Sequence, residues 1–192
     1  MEAFLSSFTA VAIAEIGDKT QLLSLFLAAR FRSKSAIIAG ILVATLLNHA
    51  ASAWLGVWVA QFIPQGWHNW LLGGSFIAVA LWLLIPDKDD SGDTSVLRFG
   101  AFAASCLLFF LAEIGDKTQI ATVILAASFD QAVWWVIVGT TLGMLAANVP
   151  VVYAGSWLLQ KISLHWARRA ACALFIVLGF YIICSDQIVV PG

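Results

Sequence analysis

Charge is what this sequence has least of. Only 11% of its 192 residues are Asp, Glu, Lys or Arg, against about 25% in soluble domains. Hydrophobic residues make up 61%, where about 45–50% is usual, and mean hydropathy is +0.94. These values exclude an ordinary water-soluble globule and leave an integral membrane protein with little chain outside the bilayer. A net charge of −1 gives no bulk field for nucleic acid. Cysteine is scarce too. Cys106, Cys172 and Cys184 are an odd number set in apolar runs, and they read as small buried hydrophobes. The opening MEAFLSSF lacks the positive n-region of a signal peptide, so the first apolar segment is expected to be retained. The length suits a single transmembrane domain over 1–192.

What is there is a set of long apolar runs. A membrane-spanning helix needs about 20 apolar residues, and runs of that kind lie near 4–29, 36–63, 68–86, 97–128, 131–159 and 169–190. The expected fold is therefore an all-α integral membrane protein with six transmembrane helices. The ten Lys and Arg residues include two, Lys19 and Lys117, inside apolar runs. The other eight are Arg30, Arg32, Lys34, Lys88, Arg98, Lys161, Arg168 and Arg169, and all fall in the first, third or fifth connection. The positive-inside rule then puts loops 30–35, 87–96 and 160–168 in the cytoplasm and both termini outside. Trp67, Trp70, Trp134 and Trp135 sit at the outer ends of runs, where such rings anchor at the interface.

The most informative feature is a repeat. Ala14-Glu15-Ile16-Gly17-Asp18-Lys19-Thr20-Gln21 returns unchanged as Ala112-Glu113-Ile114-Gly115-Asp116-Lys117-Thr118-Gln119, and residues 14–31 match 112–129 at twelve of eighteen positions. Weaker echoes pair Asn48 with Asn148 and Phe76-Ile77 with Phe175-Ile176. Repeat one is expected over 4–86 and repeat two over 97–190, joined by the acidic loop 87–96. Three spans per repeat would make the second enter the membrane from the opposite side. That is the inverted-topology plan of many secondary transporters, with the site at the midplane between repeats.

Each copy of the motif buries two carboxylates and a lysine in an apolar run. Such residues cost roughly 2.5–3.5 kcal/mol each at membrane depth and mark functional sites. On a regular helix Glu15, Asp18 and Lys19 share one face, as do Glu113, Asp116 and Lys117. Brought together, the halves offer four carboxylates and two ammoniums, a formal sum of −2 that a divalent cation would neutralise. Carboxylate, amide and backbone oxygens suit hard cations, and a motif without Cys or His argues against zinc and copper. Gln21, Gln119, Asn48 and Asn148 are candidate auxiliary ligands. Gly17 and Gly115 would allow local unwinding that frees carbonyls. Thr20 and Thr118 join the site only if that happens. The four carboxyls should titrate as a coupled set, so metal and protons compete for the same oxygens. Lys19 and Lys117 would balance charge.

Plainer readings exist for several of these residues. The motif could be a structural ion-pair clamp, although two carboxylates and one lysine per copy leave charge over. Asn48 and Asn148 could be helix-packing hydrogen bonds. His49 reads as a packed or water-facing polar residue, Asp186 as interfacial and loop 87–93 as a solvated connection.

On its paired motif the chain resembles the cation/proton exchanger family defined by two E-x-G-D-K-[TS] sequences. That family includes the Golgi manganese/calcium transporters of eukaryotes and the MneA-type manganese exporters of bacteria, within the LysE-like superfamily. Both copies keep every defining position: Glu15, Gly17, Asp18, Lys19 and Thr20, then Glu113, Gly115, Asp116, Lys117 and Thr118. The resemblance implies a transporter rather than an enzyme, with no cofactor. It would export Mn²⁺ or Ca²⁺ in exchange for protons across a bacterial inner membrane, with no obligate protein partner evident. The residues alone give only a hard divalent cation. They leave open a passive divalent-cation channel, an exporter of small organic solutes such as basic amino acids, or a non-transporting membrane scaffold.

Overall fold

A computed structural model describes residues 1–85, 94–155, 157 and 164–185. Most of the acidic loop 87–96, the first part of the 160–168 loop, Lys161 and Asp186 lie outside the described residues. Within them the regular structure is entirely helical. The helices are α1 (Glu2–Ala14), α2 (Lys19–Arg30), α3 (Lys34–Ala60), α4 (His68–Leu83), α5 (Gly100–Glu113), α6 (Lys117–Ser128), α7 (Val133–Ala154) and α8 (Leu164–Ser185). Four helical stretches, Lys34–Ala60, Ser95–Glu113, Asp130–Ala154 and Trp166–Cys184, are long and apolar enough to cross a membrane. α1 and α4 are shorter apolar helices.

The apolar runs over 4–29 and 97–128 do not form single helices, and the local unwinding that Gly17 and Gly115 left open takes place. Each run is broken at its motif, into α1 and α2 and into α5 and α6. Gly17 and Gly115 cause the breaks by taking the left-handed region, with φ of 84° and 75°, where a side chain costs roughly 1–2 kcal/mol. The next residue in each copy, Asp18 or Asp116, is extended and serves as N-cap of the following helix. The glutamine three residues into each new helix then reaches back. Gly17 N donates to Gln21 Oε1 at 2.8 Å, and Gly115 N donates to Gln119 Oε1 at 2.6 Å. This satisfies a main-chain donor that the break would otherwise leave bare, a requirement that lipid makes severe.

Packing runs between the halves. α1 lies chiefly on α7, and its repeat counterpart α5 lies on α3; α2 packs on α7 while α6 packs on α3. Missing side chains allow the close approach. A Cβ on Gly139 of α7 would lie 2.7 Å from the Phe4 carbonyl oxygen, and one on Gly40 of α3 would lie 2.6 Å from that of Phe102. α4 and α8 form a separate pair, in contact at Gly73 and Gly179.

Two buried apolar clusters result. One joins α1, α4, α6 and α8, with residues of α3 and α7, and includes Ala10, Phe76, Leu125, Cys172 and Phe175. The other joins α2, α3, α5 and α7 and includes Leu27, Ile41, Phe109 and Val152. Outside these clusters the helices keep many large apolar side chains on their surfaces, among them Trp54, Leu55, Leu111, Trp134 and Phe180. Exposed apolar area on that scale belongs against lipid. Trp67, Trp70, Trp134 and Trp135 are all exposed. Of the three cysteines expected to be buried, only Cys172 is. Cys106 is half-buried and Cys184 exposed, and all three are free thiols. In a lipid-facing protein an apolar run does not imply an interior position, which is why that expectation failed.

Candidate functional site: a carboxylate cluster at the helix breaks

The two breaks face each other. Carboxylate oxygens of Glu15, Glu113 and Asp116 all lie within 4.8 Å of one another, and all three residues are buried. Glu15 and Glu113 are entirely excluded from solvent. One oxygen of each is engaged: Thr20 Oγ1 donates to Glu15 Oε2 at 2.5 Å and Thr118 Oγ1 donates to Glu113 Oε2 at 3.1 Å. Thr118 also lies 3.2 Å from Asp116 Oδ2. The other oxygen of each glutamate, Oε1, is buried without a hydrogen-bond partner among the described residues. A buried carboxylate oxygen without a partner is costly. Two of them, from different halves of the chain, are acceptors of the kind that a cation or a proton satisfies.

The threonines answer a question that the sequence left conditional. On a regular helix they would face away from the carboxylates. Because each chain segment breaks between Glu and Thr, the hydroxyl swings onto the glutamate five residues before it.

Asp18 lies beside the cluster rather than in it. It lines a small pocket with Gly17, Asp116, Lys117, Thr118, Leu83 and Arg168. Lys19 Nζ is 2.9 Å from Asp116 Oδ1, an ion pair between the two copies of the motif. Lys117, its repeat counterpart, donates to the Ile85 carbonyl at 2.5 Å and lies over the Trp82 ring.

The amides expected as auxiliary ligands are engaged with protein groups. Besides taking the Gly17 N–H, Gln21 donates through Nε2 to the Ala147 carbonyl at 2.9 Å. Asn148 Oδ1 accepts from Ser24 Oγ at 2.8 Å, and its Nδ2 donates to the Met144 carbonyl. Asn48 Nδ2 donates to the Phe110 carbonyl at 3.1 Å. His49 is packed, entirely buried, and neither ring nitrogen has a hydrogen-bond partner among the described residues. Arg168 is the residue at this site that sequence reasoning missed. Its charge was absorbed by the loop-orientation argument, and no spacing within one helix signals its place at a pocket built from three others.

The family described as "Divalent cation/proton antiporter GDT1" matches residues 3–91 and 101–188. The chain belongs to this family. It is 54% identical over 179 residues to a Vibrio cholerae serotype O1 protein described as "Putative manganese exporter", spanning 93% of this chain and 89% of that one. It is 31% identical to GDT1-like protein 3 of Oryza sativa over 93% of this chain and 72% of the relative. It is 28% identical to a GDT1-like protein of Synechocystis over 85% and 87%. No solved structure matches. The protein is therefore a membrane transporter of divalent cations and not an enzyme, and metal ions are its substrates rather than cofactors.

Proposed function

We propose that this GDT1-family chain exports Mn²⁺ from the cytosol in exchange for protons, with Ca²⁺ as the second candidate substrate. The observation that carries the reading is the cluster of Glu15, Glu113 and Asp116, whose oxygens converge from both motif copies. Oxygens within 4.8 Å of one another can share one ion at the roughly 2.0–2.6 Å ligand distances of hard cations. An all-oxygen donor set favours Mn²⁺, Ca²⁺ or Mg²⁺ over softer metals. The name of the Vibrio relative favours manganese among these.

The exchange follows from competition. Three carboxylates so close cannot all remain ionised without counter-charge. Lys19 supplies part of it through Asp116, and the remainder must come from a metal or from protons. One cluster that holds either, but not both, exchanges them when it faces the two sides of the membrane in turn. Asp18 would assist from the adjoining pocket. Gln21, Gln119, Asn48 and Asn148 would hold the backbone around the site, and their oxygens would become ligands only if those bonds open.

We read the chain as six spans in two inverted three-span repeats, with the broken helices α1–α2 and α5–α6 as the first span of each. The exchanged packing of α1 on α7 and α5 on α3 supports this reading. The membrane is taken as the bacterial inner membrane, with the arginine- and lysine-bearing loops in the cytoplasm. The test is reconstitution in liposomes with Mn²⁺, Ca²⁺ or Mg²⁺ on one side and a pH indicator inside. Metal flux with opposite proton flux is the expected result. Metal flux with no proton movement would make the protein a channel.

A further inference from the structure

α4 and α8 contribute none of the clustered carboxylates, yet both run past them, each presenting a single stripe of side chains. On α4 the stripe is Leu72, Phe76, Val79 and Leu83; on α8 it is Ile182, Gly179, Phe175, Cys172 and Arg168. Spacings of three and four residues place each set on one helix face. Leu83 and Arg168 line the pocket at the helix breaks. Leu72 and Ile182 line a second cavity of about 230 Å³ with Glu2, His68, Asn69 and Tyr181. The two helices are therefore antiparallel and connect two cavities roughly 16 Å apart, by the 1.5 Å rise over the eleven residues from Leu72 to Leu83.

Between the cavities stand Phe76 and Phe175. They are counterparts in the repeat, both entirely buried, with ring centroids 5.8 Å apart. They belong to the apolar cluster that ties α4 and α8 to α1 and α6. The packing is lopsided. α4 lies on α6 and α8 on α1, but the contacts that the repeat would generate from these, α8 on α2 and α4 on α5, have no comparable counterpart among the described residues. The α4–α8 pair has closed against one end of the molecule and not the other.

We propose that Phe76 and Phe175 form the barrier that shuts the carboxylate site off from the Glu2–Tyr181 end, and that the cavity beyond them is the vestibule through which the divalent cation passes at that end. The inference rests on the alternating exposure in the function proposed above. Opening requires the α4–α8 pair to lean away from α1 and α6 and towards α2 and α5. The Gly73–Gly179 contact lets the pair move as one body, because each glycine there leaves no room for a Cβ.

Cys172 is a built-in reporter. It lies one turn from Phe175 on the site side of the barrier and is buried in the same cluster. In a Cys106→Ala, Cys184→Ala background, a charged membrane-impermeant maleimide applied to intact cells should label Cys172 slowly. Phe76→Ala or Phe175→Ala should raise that rate at least tenfold. Ser128→Cys, which lines the vestibule, should label quickly in every background and so shows that this end faces the reagent. If an alanine variant does not elute as folded protein, Phe175→Leu should give a smaller rise, and Phe175→Trp a fall. Unchanged Cys172 labelling in folded Phe76 and Phe175 variants overturns the barrier, as does fast labelling with both rings intact. Labelling needs no transport. An absence of metal–proton exchange in all variants would therefore sink the transport reading while leaving the barrier standing.

Discussion

Lys19 Nζ sits 2.9 Å from Asp116 Oδ1, so the lysine of one motif neutralises an aspartate of the other. Asp116 is almost fully buried and Lys19 about a quarter exposed. Removing the partner of a buried hydrogen-bonded charge is far costlier than removing a surface pair. Asp116→Asn should therefore abolish metal flux in liposomes while the protein still elutes as a folded species. Lys19→Met should reduce flux at least tenfold yet retain metal binding. Binding can be followed as a rise in thermal unfolding temperature with added Mn²⁺, since a ligand at one hundred times its Kd adds about 2.7 kcal/mol. Asp116→Asn should lose that rise, and its retention would argue against Asp116 as a ligand.

The left-handed backbone at Gly115, with φ of 75°, has open space where a Cβ would go. The penalty for a side chain there is conformational rather than steric. Gly115→Val should cost more than about 2 kcal/mol, because branched residues suffer most with positive φ, whereas Gly115→Asn should cost less than about 1 kcal/mol. Thermal unfolding in detergent gives the ranking. Equal losses for the two would mean that the helix break does not control stability.

Thr20 and Thr118 each fix a glutamate rotamer by donating a hydroxyl hydrogen. Thr20→Val keeps the shape and removes the donor, leaving a buried carboxylate oxygen bare at a cost of about 1–3 kcal/mol. Metal transport should fall at least tenfold in Thr20→Val and Thr118→Val, and Thr20→Ser should retain most of it. Full transport in the valine variants would show that glutamate placement does not depend on these bonds.

Gly73 and Gly74 are neighbours with opposite surroundings. A Cβ on Gly73 would lie 2.6 Å from the Gly179 carbonyl oxygen, while one on Gly74 would meet nothing within 4 Å. Gly73→Ala should destabilise by about 1–3 kcal/mol through forced separation of α4 and α8. Gly74→Ala should be neutral or stabilising by up to about 1 kcal/mol through helix propensity. Comparing the two unfolding temperatures checks the helix crossing directly.

Much of this was legible in the chain itself. Sparse charge and long apolar runs pointed to a helical membrane protein, and the duplicated Glu-Ile-Gly-Asp-Lys-Thr pointed to the family and to carboxylates that the structure brings together. The helix breaks were legible only as an option. One glycine in an apolar pattern costs an ordinary helix about 1 kcal/mol and is often tolerated, so hydropathy runs smoothly through Gly17 and Gly115. What reveals the break is Gln21 or Gln119 folding back to the glycine N–H, a contact without a periodic signature. Arg168 escaped notice because its charge had a sufficient explanation at a loop. The meeting of Phe76 with Phe175 was visible as sequence similarity but not as contact, because a repeat says which residues are equivalent and not which ones touch.

The exchanged packing also bears on how the molecule is made. α1 emerges well before its main partner α7, which begins more than a hundred residues later. The first half must wait in the lipid, incompletely assembled, until α7 has been made. Neither half would be a stable protein by itself, but two fragments divided near the acidic connection and produced together should find each other and rebuild the whole.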